Sequence, residues 1–445
     1  MKLSVIAQKT QGQLFGQDLD VCQFSTDTRT LSKGDVFIAL SGANFDANSF
    51  VAKAQDLGAV AAIVSQYQPE LNLSQIVVAN TQTALGLLAK TWREQFELMR
   101  VAMTGSSGKT TTKELTASIF RQAGETLATL GNKNNEIGVP LTLLRLNAQH
   151  RYGVFELGAN HIGEIAYTSA LVQPHAAVIT NIGTAHLEGF GSRQGIAQAK
   201  GEIFSGLVDG GTAVINADDE FADYHQNLCV GLKILTFSVK KQADAYATDI
   251  KRTNGGAYQF NLHLAEQSTP IQLGLIGQHN VANALAASCL ALACGLTLPQ
   301  IKQGLEQAQG AAGRMVLHRR QNFTLIDDTY NANPDAMKAA IDELALSDGY
   351  KIVVLGAMGE LGDNAPSLHQ EVGAYAQAKQ IDALYCVGAF SENTAQGYGS
   401  QAQRFSEQKE LIETLLVAIP HGATILVKGS RSARMENVVQ ALLGF

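Results

Sequence analysis

The segment that most constrains the fold is the run Met103-Thr104-Gly105-Ser106-Ser107-Gly108-Lys109-Thr110-Thr111, which joins an apolar strand-like stretch to a helix. Its small residues allow backbone N–H groups to face phosphate oxygens, and the helix start adds partial positive charge. Lys109 can contact the terminal phosphates, and the Thr110 hydroxyl can bind Mg²⁺. Glycine is common where Met103 stands, so the loop is a variant of the usual pattern. The segment predicts that residues 104–111 bind ATP.

Length and composition indicate a multidomain protein without specialised regions. A chain of 445 residues corresponds to about three domains at roughly 150 residues each. The net charge of -7 is spread along the chain, which argues against a nucleic acid partner. No apolar run has the roughly 20 residues that a membrane span needs, so we expect no membrane insertion and a cytoplasmic location. The five cysteines lack a Cys-x-x-Cys pair and are expected to be buried, without zinc or disulfides.

Alternating apolar strands and helices divide the chain into three α/β segments, predicted as domains 1–98, 99–312 and 313–445. The first includes strand-like Val36 to Leu40. The second contains a P-loop mononucleotide-binding parallel sheet, because its strands are separated by helices. Within it, residues 244–276 alternate around Asn254-Gly255-Gly256 and predict an antiparallel hairpin. The third segment predicts a Rossmann-like domain.

Three polar residues near strand ends or on a helix could carry chemistry in the second segment. Glu156 ends an apolar strand, where a carboxylate can hold Mg²⁺ or cap the next helix. His186 follows another strand and could be a ligand, although a lone histidine is more often structural. Lys200 lies on a predicted helix, and by itself it is typical of a solvated surface lysine.

Further candidates lie at helix starts and strand ends. Asn280 and Asn283 could cap a helix or bind an adenine edge. The run Asp327-Asp328-Thr329-Tyr330-Asn331-Ala332-Asn333-Pro334 follows a strand and fits a ribose and base contact better than a turn. The run Lys428-Gly429-Ser430-Arg431 presents cations at a helix start, where it favours an anion or forms a solvated loop.

Taken in order, these motifs resemble those of the Mur ligases over all three segments. The Thr-Gly-Ser-Ser-Gly-Lys-Thr-Thr loop has the form found in that family, including the residue at Met103. Glu156-Leu157-Gly158-Ala159-Asn160 and the run 327–334 resemble the branch that adds D-alanyl-D-alanine to UDP-N-acetylmuramoyl-tripeptide. The Asp-Asn-Pro-Arg pattern of diaminopimelate-adding enzymes is absent. The resemblance implies an ATP-dependent amide ligase of peptidoglycan precursor synthesis that works through an acyl phosphate. We expect a monomer, and the sequence alone leaves the oligomeric state open.

The resemblance also implies roles for individual residues. The implied catalytic and metal residues are Lys109, Thr110, Glu156, His186 and a carbamylated Lys200 beside two Mg²⁺ ions. The implied ATP contacts beyond the loop are Asn280, Asn283, Arg314, Asp328 and Tyr330. The implied substrate contacts are Ser25, Thr26, Asp27, Arg29 and Gly42 for the UDP-sugar, Asn132, Asn134 and Asn135 for the muramyl-peptide end, and Asn331, Asn333, Lys428 and Arg431 on the side of the incoming dipeptide. Asn48 stands where the family frequently has histidine, which leaves its share in the sugar contact open.

Two other functions compete with this interpretation. The first is another amide ligase, either of Mur type or like a folylpolyglutamate synthase. The latter would share the central and C-terminal folds, but the segment from Asp27 to Gly42 counts against it. A P-loop ATPase acting as a switch would hydrolyse ATP slowly without depending on an amine. The sequence leaves open whether the third peptide residue is lysine or diaminopimelate, and how selective the dipeptide site is.

Overall fold

The computed structural model describes residues 1–42, 45–184 and 187–444, which form three α/β units with separate sheets. The fold therefore has the three-part α/β organisation that the sequence predicts. The exact boundaries at 98 and 312 stay predictions.

The N-terminal unit is a small, mostly parallel sheet with helices on its faces. Its strand order is β1-β7-β6-β3-β2, and only the β1–β7 pair among the described strands of this sheet is antiparallel. Continuous buried runs such as Val36–Ile38 and Ala61–Val64 are typical of parallel strands covered on both faces. The elements are α1 (Leu3–Lys9), β1 (Gln13–Phe15), β2 (Phe24–Ser25), β3 (Val36–Ile38), β4 (Ser41–Gly42), β5 (Phe45–Asp46), a 3₁₀ turn (Ala47–Phe50), α2 (Val51–Asp56), β6 (Ala61–Val64), β7 (Ser74–Val77) and α3 (Thr81–Arg93).

The central unit has the largest sheet, ordered β16-β15-β14-β13-β12-β11-β8-β10-β9. Strands β8 to β13 are parallel, as predicted, and their carboxyl ends meet at one edge. The elements are β8 (Met99–Thr104), α4 (Lys109–Arg121), β9 (Thr126–Ala128), α5 (Gly138–Leu143), β10 (Tyr152–Glu156), α6 (Glu164–Val172), β11 (Ala176–Ile179), α7 (Leu187–Phe190), α8 (Arg193–Gly201), a 3₁₀ turn (Glu202–Gly206), β12 (Thr212–Asn216), α9 (Ala222–Leu228), β13 (Lys233–Ser238), β14 (Ala245–Arg252), β15 (Ala257–Leu264), β16 (Gln267–Ile276), α10 (His279–Ala293) and α11 (Leu298–Gln307).

The antiparallel flank of this sheet has one strand more than the predicted hairpin. The expected turn at residues 254–256 joins β14 to β15, and a second turn at Ala265 and Glu266 joins β15 to β16. Both residues of the second turn have positive φ, 47° and 64°. Such a two-residue turn matches the twist of antiparallel strands but usually contains Asn or Gly, so Ala-Glu gave no turn signal.

The C-terminal unit is a second mostly parallel sheet, ordered β17-β18-β22-β19-β20-β21, with β17 antiparallel to β18. The apolar runs at 323–326, 351–355, 383–387 and 425–427 predict strands, and all four strands are present. The elements are β17 (Val316–Arg319), β18 (Phe323–Asp328), α12 (Pro334–Ala345), β19 (Lys351–Leu355), a 3₁₀ turn (Gly362–Asn364), α13 (Ala365–Ala378), β20 (Ala383–Val387), α14 (Ser391–Tyr398), β21 (Gln403–Phe405), α15 (Gln408–Ala418), β22 (Ala423–Lys428), a 3₁₀ turn (Arg431–Ala433) and α16 (Glu436–Gly444).

Two further expectations concern the burial of the cysteines and membrane insertion. Cys22 is exposed, contrary to the expectation that the cysteines are buried, because it lies in the irregular segment before β2 rather than in a core. No disulfide joins the cysteines of the described residues. Across residues 1–42, 45–184 and 187–444, the helices are too short or too polar to span a membrane.

Candidate active site

Two glycines set the shape of the phosphate loop between β8 and α4. Gly105 has φ +150°, and a Cβ there would lie 1.9 Å from the Thr180 hydroxyl oxygen. Gly108 has φ +79°, and a Cβ there would lie 2.4 Å from Asn283 Oδ1. Both positions therefore favour glycine, for their positive φ values as well as for the close approach of these side chains. The loop lies against two other segments of the central unit.

The loop is held by the residues that follow β11. Asn181 accepts the N–H of Ser106 on its backbone oxygen (2.9 Å) and that of Ser107 on Oδ1 (3.0 Å). The Thr180 hydroxyl donates to the Ser107 carbonyl at 2.6 Å. These two N–H groups therefore bind Asn181 in this structure, whereas the sequence predicted that they face phosphate. The N–H groups of the first turn of α4 still point out of its N-terminus, where phosphate is favoured.

Lys109 bends back over this loop. Its Nζ donates to the Gly105 carbonyl at 2.7 Å. Burial lowers the pKa of Lys109, and the Glu156 carboxylate partly opposes that change. The ammonium thus lies beside the loop that is predicted to bind phosphates, as the sequence implied.

Glu156 lies next to the loop because β10 pairs with β8, placing it opposite Met103. The side chain is 2% exposed. Its Oε2 accepts the Thr110 hydroxyl at 2.8 Å, and its Oε1 accepts Asn134 Nδ2 at 2.8 Å. Two of the predicted metal ligands are thus adjacent. Asn134, predicted to contact the muramyl-peptide end, also contacts this carboxylate.

The structure describes only one of the other two predicted metal ligands, His186 and Lys200. His186 lies outside the described residues. Lys200 is 1% exposed, so the interpretation of it as a solvated surface lysine is wrong: the face of α8 that carries Ile196 and Ala199 packs inward. Burial, with a smaller contribution from Lys109, lowers its pKa well below the ordinary lysine value. Within the described residues no three His, Cys, Asp or Glu side chains form a metal cluster.

A cavity of about 530 Å³ lies between the central and C-terminal units. It is lined by predicted ATP residues from both units: Ser106, Ser107, Gly108, Lys109, Thr111, Asn280, Asn283, Arg314, Asp328 and Tyr330. At the start of α10, Asn280 Nδ2 donates to the Ile276 carbonyl (2.7 Å), and Asn283 Nδ2 donates to Asn280 Oδ1 (2.8 Å). The two amides therefore order the helix start as well as line the cavity.

The C-terminal unit supplies cationic and aromatic groups to this cavity. The Arg314 guanidinium lies 4.1 Å from the centre of the Tyr330 ring, and its Nη2 donates to the Thr110 hydroxyl at 2.9 Å. Lys428 Nζ binds Asp328 Oδ2 at 2.5 Å and the Asn331 carbonyl at 2.9 Å. The phosphate loop of one unit and the strand ends of the other thus form one site.

Asn333 connects the two units at the start of α12. Its Oδ1 accepts the Ala336 N–H at 2.8 Å and caps the helix, where Pro334 occupies the first position. Its Nδ2 donates to the Ser107 hydroxyl at 3.2 Å. The residue therefore has a capping role that accounts for its position and an additional contact to the phosphate loop.

A second cavity of about 710 Å³ adjoins the first. The two share Ser106, Lys109 and residues 331–333, so they meet at the phosphate loop. The rest of its lining comes from the C-terminal unit and includes Gly359, Glu360, Ser430, Arg431 and Arg434. Arg431, a predicted substrate residue, binds Glu436 at 3.0 Å.

The predicted UDP-sugar residues lie in the N-terminal unit and do not line either cavity. Arg29 donates to both carboxylate oxygens of Asp27 and lowers the pKa of Asp27 to about 2. Lys133 makes a smaller contribution to this lowered pKa, so this loop lies near the segment that carries Asn132. Ser25 donates to the Asp27 carbonyl, and Thr26 lies between these two residues. Gly42 lies in the exposed strand β4. Asn135, which was predicted at the peptide end, accepts the Gly138 N–H.

Asn48 has a structural environment that the sequence did not reveal. Its Nδ2 donates to Asp46 Oδ1 and the Ser65 hydroxyl, and its Oδ1 accepts the Ser65 N–H. These bonds join the 3₁₀ turn after β5 to the end of β6. A contact between Asn48 and the sugar stays a prediction.

Comparison with known proteins bears on both units that form the cavity. The profile of the Mur ligase middle domain matches residues 103–291, and that of the Mur ligase glutamate ligase domain matches residues 313–431. The UDP-N-acetylmuramoyl-tripeptide--D-alanyl-D-alanine ligase of Escherichia coli strain K12 is 45% identical over 446 residues, which cover 99% of this chain and 98% of that protein. The chain belongs to the Mur ligase family.

Solved Mur ligase structures share the whole fold. A crystal structure of MurF from Acinetobacter baumannii superposes on this chain with a TM-score of 0.93 at 40% identity. The superposition covers 99% of this chain and 98% of the MurF chain. A MurF ligase structure from Thermotoga maritima in complex with ADP gives 0.86 at 28% identity, covering 96% and 98%. The predicted family and three-domain fold are thereby confirmed.

Some residues of this Mur ligase site had no predicted role. Thr180 and Asn181 hold the phosphate loop, and Asp335 and His279 line the cavity. Thr180 and Asn181 follow a strand beside β8, and that position at the carboxyl edge of the sheet was the available signal. Asp335 comes from another unit, and its contact could not be deduced from local pattern.

Proposed function

We infer that this Mur ligase joins D-alanyl-D-alanine to UDP-N-acetylmuramoyl-tripeptide at the expense of ATP, as a step of peptidoglycan precursor synthesis. The observation that carries this function is the pair of cavities that meet at Lys109 and Ser106. One is suited to a nucleotide, because phosphate-loop and amide groups line it. The other extends from the terminal-phosphate end into the C-terminal unit, where an incoming amine would lie. The 45% identity to the Escherichia coli ligase named for this reaction supports the same assignment.

The reaction has two steps in this interpretation. A carboxylate oxygen of the tripeptide attacks the γ-phosphorus of ATP, so an acyl phosphate forms and ADP leaves. The free amine of the dipeptide then attacks the acyl carbon, loses a proton and displaces phosphate. Negative charge develops on phosphoryl oxygens in the first step, and Lys109 with the N–H groups of α4 would stabilise it. Bringing the reacting atoms to about 3 Å is the main task of the surrounding units.

The donor set beside the loop fits Mg²⁺. The Thr110 hydroxyl and the buried Glu156 carboxylate are oxygen ligands 2.8 Å apart, and Mg²⁺ prefers such ligands together with substrate phosphates. When bound, the ion would neutralise developing phosphoryl charge. We propose that Thr110 and Glu156 hold one ion, and that His186 and Lys200 contribute to the two-ion arrangement of the family.

Lys200 would contribute as a carbamate. Its amine is buried, and its lowered pKa favours the neutral form that adds CO₂ with release of a proton. The product carries a carboxylate-like group in place of a cation. A carboxylate is a usual Mg²⁺ ligand, whereas an ammonium group is not.

The remaining substrate assignments follow the three units. The loop with Ser25, Thr26, Asp27 and Arg29, together with Gly42, would bind the UDP-sugar, and Asn132, Asn134 and Asn135 would lie at its peptide end. Asn331, Asn333, Lys428 and Arg431 would bind the dipeptide side. The last two offer positive charge for its carboxylate. We also propose that the enzyme acts as a monomer in the cytoplasm, where ATP and nucleotide-linked precursors are available.

A phosphate-release assay tests the function. The enzyme receives ATP and Mg²⁺ with UDP-muramyl compounds carrying one, two or three peptide residues, each with and without D-alanyl-D-alanine. We expect phosphate release that depends on both the tripeptide compound and the dipeptide. Equal turnover of the dipeptide compound with a single amino acid would exclude this step of the pathway. Phosphate release independent of any amine would instead favour an ATPase switch.

A further inference from the structure

Helix α12 of the C-terminal unit contacts the central unit at both of its ends. At its start, the Asp335 carboxylate oxygen Oδ2 accepts the backbone N–H and the hydroxyl of Thr184, both at 3.1 Å. Asn333, its capping residue, donates to the Ser107 hydroxyl. The helix has 12 residues, about 18 Å at 1.5 Å per residue. Its start therefore lies over the phosphate loop, while its end lies far from the reacting groups.

The far end of α12 is tied to the antiparallel flank of the central unit through Glu343. This carboxylate is 3% exposed. Its Oε1 accepts Arg252 Nε of β14 at 2.7 Å, and its Oε2 accepts the Tyr258 hydroxyl of β15 at 2.9 Å. Arg252 also donates to the carbonyl of Leu346, the residue after α12, at 3.1 Å. Burial and then the neighbouring carboxylate raise the pKa of Tyr258, so its hydroxyl stays a donor.

A buried carboxylate between two units must be matched by donors, because an unpaired one is strongly disfavoured. Here both donors come from the central unit, and both carboxylate oxygens are used. The bonds are directional, so they favour one orientation of α12 relative to the flank more than apolar packing would. That orientation also determines where Arg314 and Lys428 lie, since they line the nucleotide cavity from the C-terminal unit.

We propose that Glu343 is a positioning residue for the ligase reaction: by binding Arg252 and Tyr258, it keeps α12 and the C-terminal side of the nucleotide cavity over the phosphate loop. The inference rests on the proposed function, since it concerns the site at which ATP is used. Glu343 does not line either cavity. Its effect on catalysis passes through the position of the C-terminal unit.

This role has a kinetic signature that loss of folded protein does not share. If the bond is weakened so that only about a tenth of the molecules have the competent arrangement, the apparent dissociation constant for nucleotide rises about tenfold. Saturating nucleotide restores the arrangement, because it binds groups of both units. The KM for ATP therefore rises while kcat is kept. Irreversible loss of folded protein would instead lower kcat and leave KM unchanged.

The test compares Glu343→Gln with Glu371→Gln in the full-length enzyme. Glu371 of α13 binds Lys338 of α12 at 2.6 Å, so this ion pair also holds α12. Both of its residues belong to the C-terminal unit, and it does not join the two units. Binding of a non-hydrolysable ATP analogue with Mg²⁺ is measured by calorimetry, and KM and kcat are measured by phosphate release. We expect Glu343→Gln to raise the dissociation constant and the KM for ATP about tenfold with kcat within about twofold. Glu371→Gln should change each value by less than about twofold.

A second pair of variants keeps the test decisive if Glu343→Gln folds poorly. Tyr258→Phe removes one hydrogen bond and should raise the nucleotide dissociation constant by about threefold. Arg252→Gln combined with Glu343→Gln should cost less than the sum of the two single changes, because they disrupt one interaction. Unchanged nucleotide affinity in folded Glu343→Gln and Tyr258→Phe would overturn the proposal, as would a loss of kcat at constant KM. If the wild-type enzyme failed to ligate D-alanyl-D-alanine but these affinities shifted, the proposed substrates would be wrong and the positioning role would stand.

Discussion

Lys200 shows at the scale of one residue what sequence reasoning could and could not provide. A single lysine on a predicted helix is normally exposed, and only the family resemblance implied a role. The structure buries it on a face with Ile196 and Ala199. Small neighbours such as Ala197, Ala199 and Gly201 were an available sign that this part of α8 packs closely. By contrast, Glu156 was predicted from its place at a strand end, because that edge of a parallel sheet is where ligands bind.

We predict that Lys200→Ala loses most ligase activity and that formate or acetate restores part of it. The physical reason is that a small carboxylate would occupy the space of the carbamate and supply the missing oxygen ligands. Turnover is measured with increasing formate at saturating ATP and Mg²⁺. The matched control is Lys113→Ala: Lys113 is also 1% exposed, but its Nζ binds the Thr129 carbonyl at 2.8 Å. That variant should lower the free energy of unfolding and show no rescue. Wild-type turnover of Lys200→Ala without added carboxylate would rule out the carbamate.

At the scale of elements, most strands and helices followed from local pattern, and the exceptions have identifiable causes. The pattern of residues 81–95 predicts a helix, and the structure has α3 over Thr81–Arg93, which Asn80 caps by accepting the Thr83 N–H. Continuous apolar runs correctly predicted parallel strands such as β10. The turn at Ala265 and Glu266 was missed because neither residue favours positive φ. Hydrogen bonds from side chains that hold loops in place were also missed, because they join residues whose local sequence carries no turn signal.

A side chain of α13 holds the loop with Gly359 and Glu360, which lines the second cavity. His369, buried on that helix, accepts the Met358 N–H on Nε2 at 2.9 Å, while its Nδ1 lies 2.7 Å from the Ala365 carbonyl. This pattern requires a neutral ring with the proton on Nδ1, because Nε2 must accept. Burial accordingly lowers the pKa of His369. The position of Gly359 and Glu360 in the cavity wall therefore depends on an uncharged histidine.

We predict that His369 makes the folded enzyme less stable as the pH falls. Its pKa is lower when folded than when unfolded, so the unfolded chain binds the proton first as pH falls through about 6.5. Stability is thus kept above that pH and lost below it. Thermal unfolding between about pH 7.5 and 5.5 should show a smaller decrease in Tm for His369→Gln than for the wild type. His421→Gln, which changes an exposed ring, is the control and should keep the wild-type slope. A His369→Gln slope equal to the wild type would contradict the prediction.

At the scale of the whole molecule, the sequence predicted three α/β units and the phosphate loop but not how the units meet. Contacts such as Arg314 with Thr110 join residues 204 positions apart. A pairing of that kind leaves no periodicity or motif in either segment. The bond between Glu343 and Arg252 was unpredictable for the same reason. Strand ends could be assigned to ligand binding, and the family resemblance implied that Arg314, Asp328 and Tyr330 contact ATP. The side-chain contacts that join the two walls of the cavity became visible only in three dimensions.

We predict that ATP protects two units at once, while the UDP-sugar substrate protects a different pair of segments. A non-hydrolysable ATP analogue with Mg²⁺ should slow amide hydrogen exchange at 104–112 and 279–283 of the central unit and at 328–333 of the C-terminal unit, because these segments contribute to the walls of one cavity. UDP-N-acetylmuramoyl-tripeptide should instead protect 25–29 and 132–135. Exchange is followed by mass spectrometry after proteolysis, and Lys109→Ala, with weakened phosphate binding, is the control that should lose both nucleotide effects together. Protection by nucleotide that is confined to the central unit would mean that the C-terminal wall does not contact ATP.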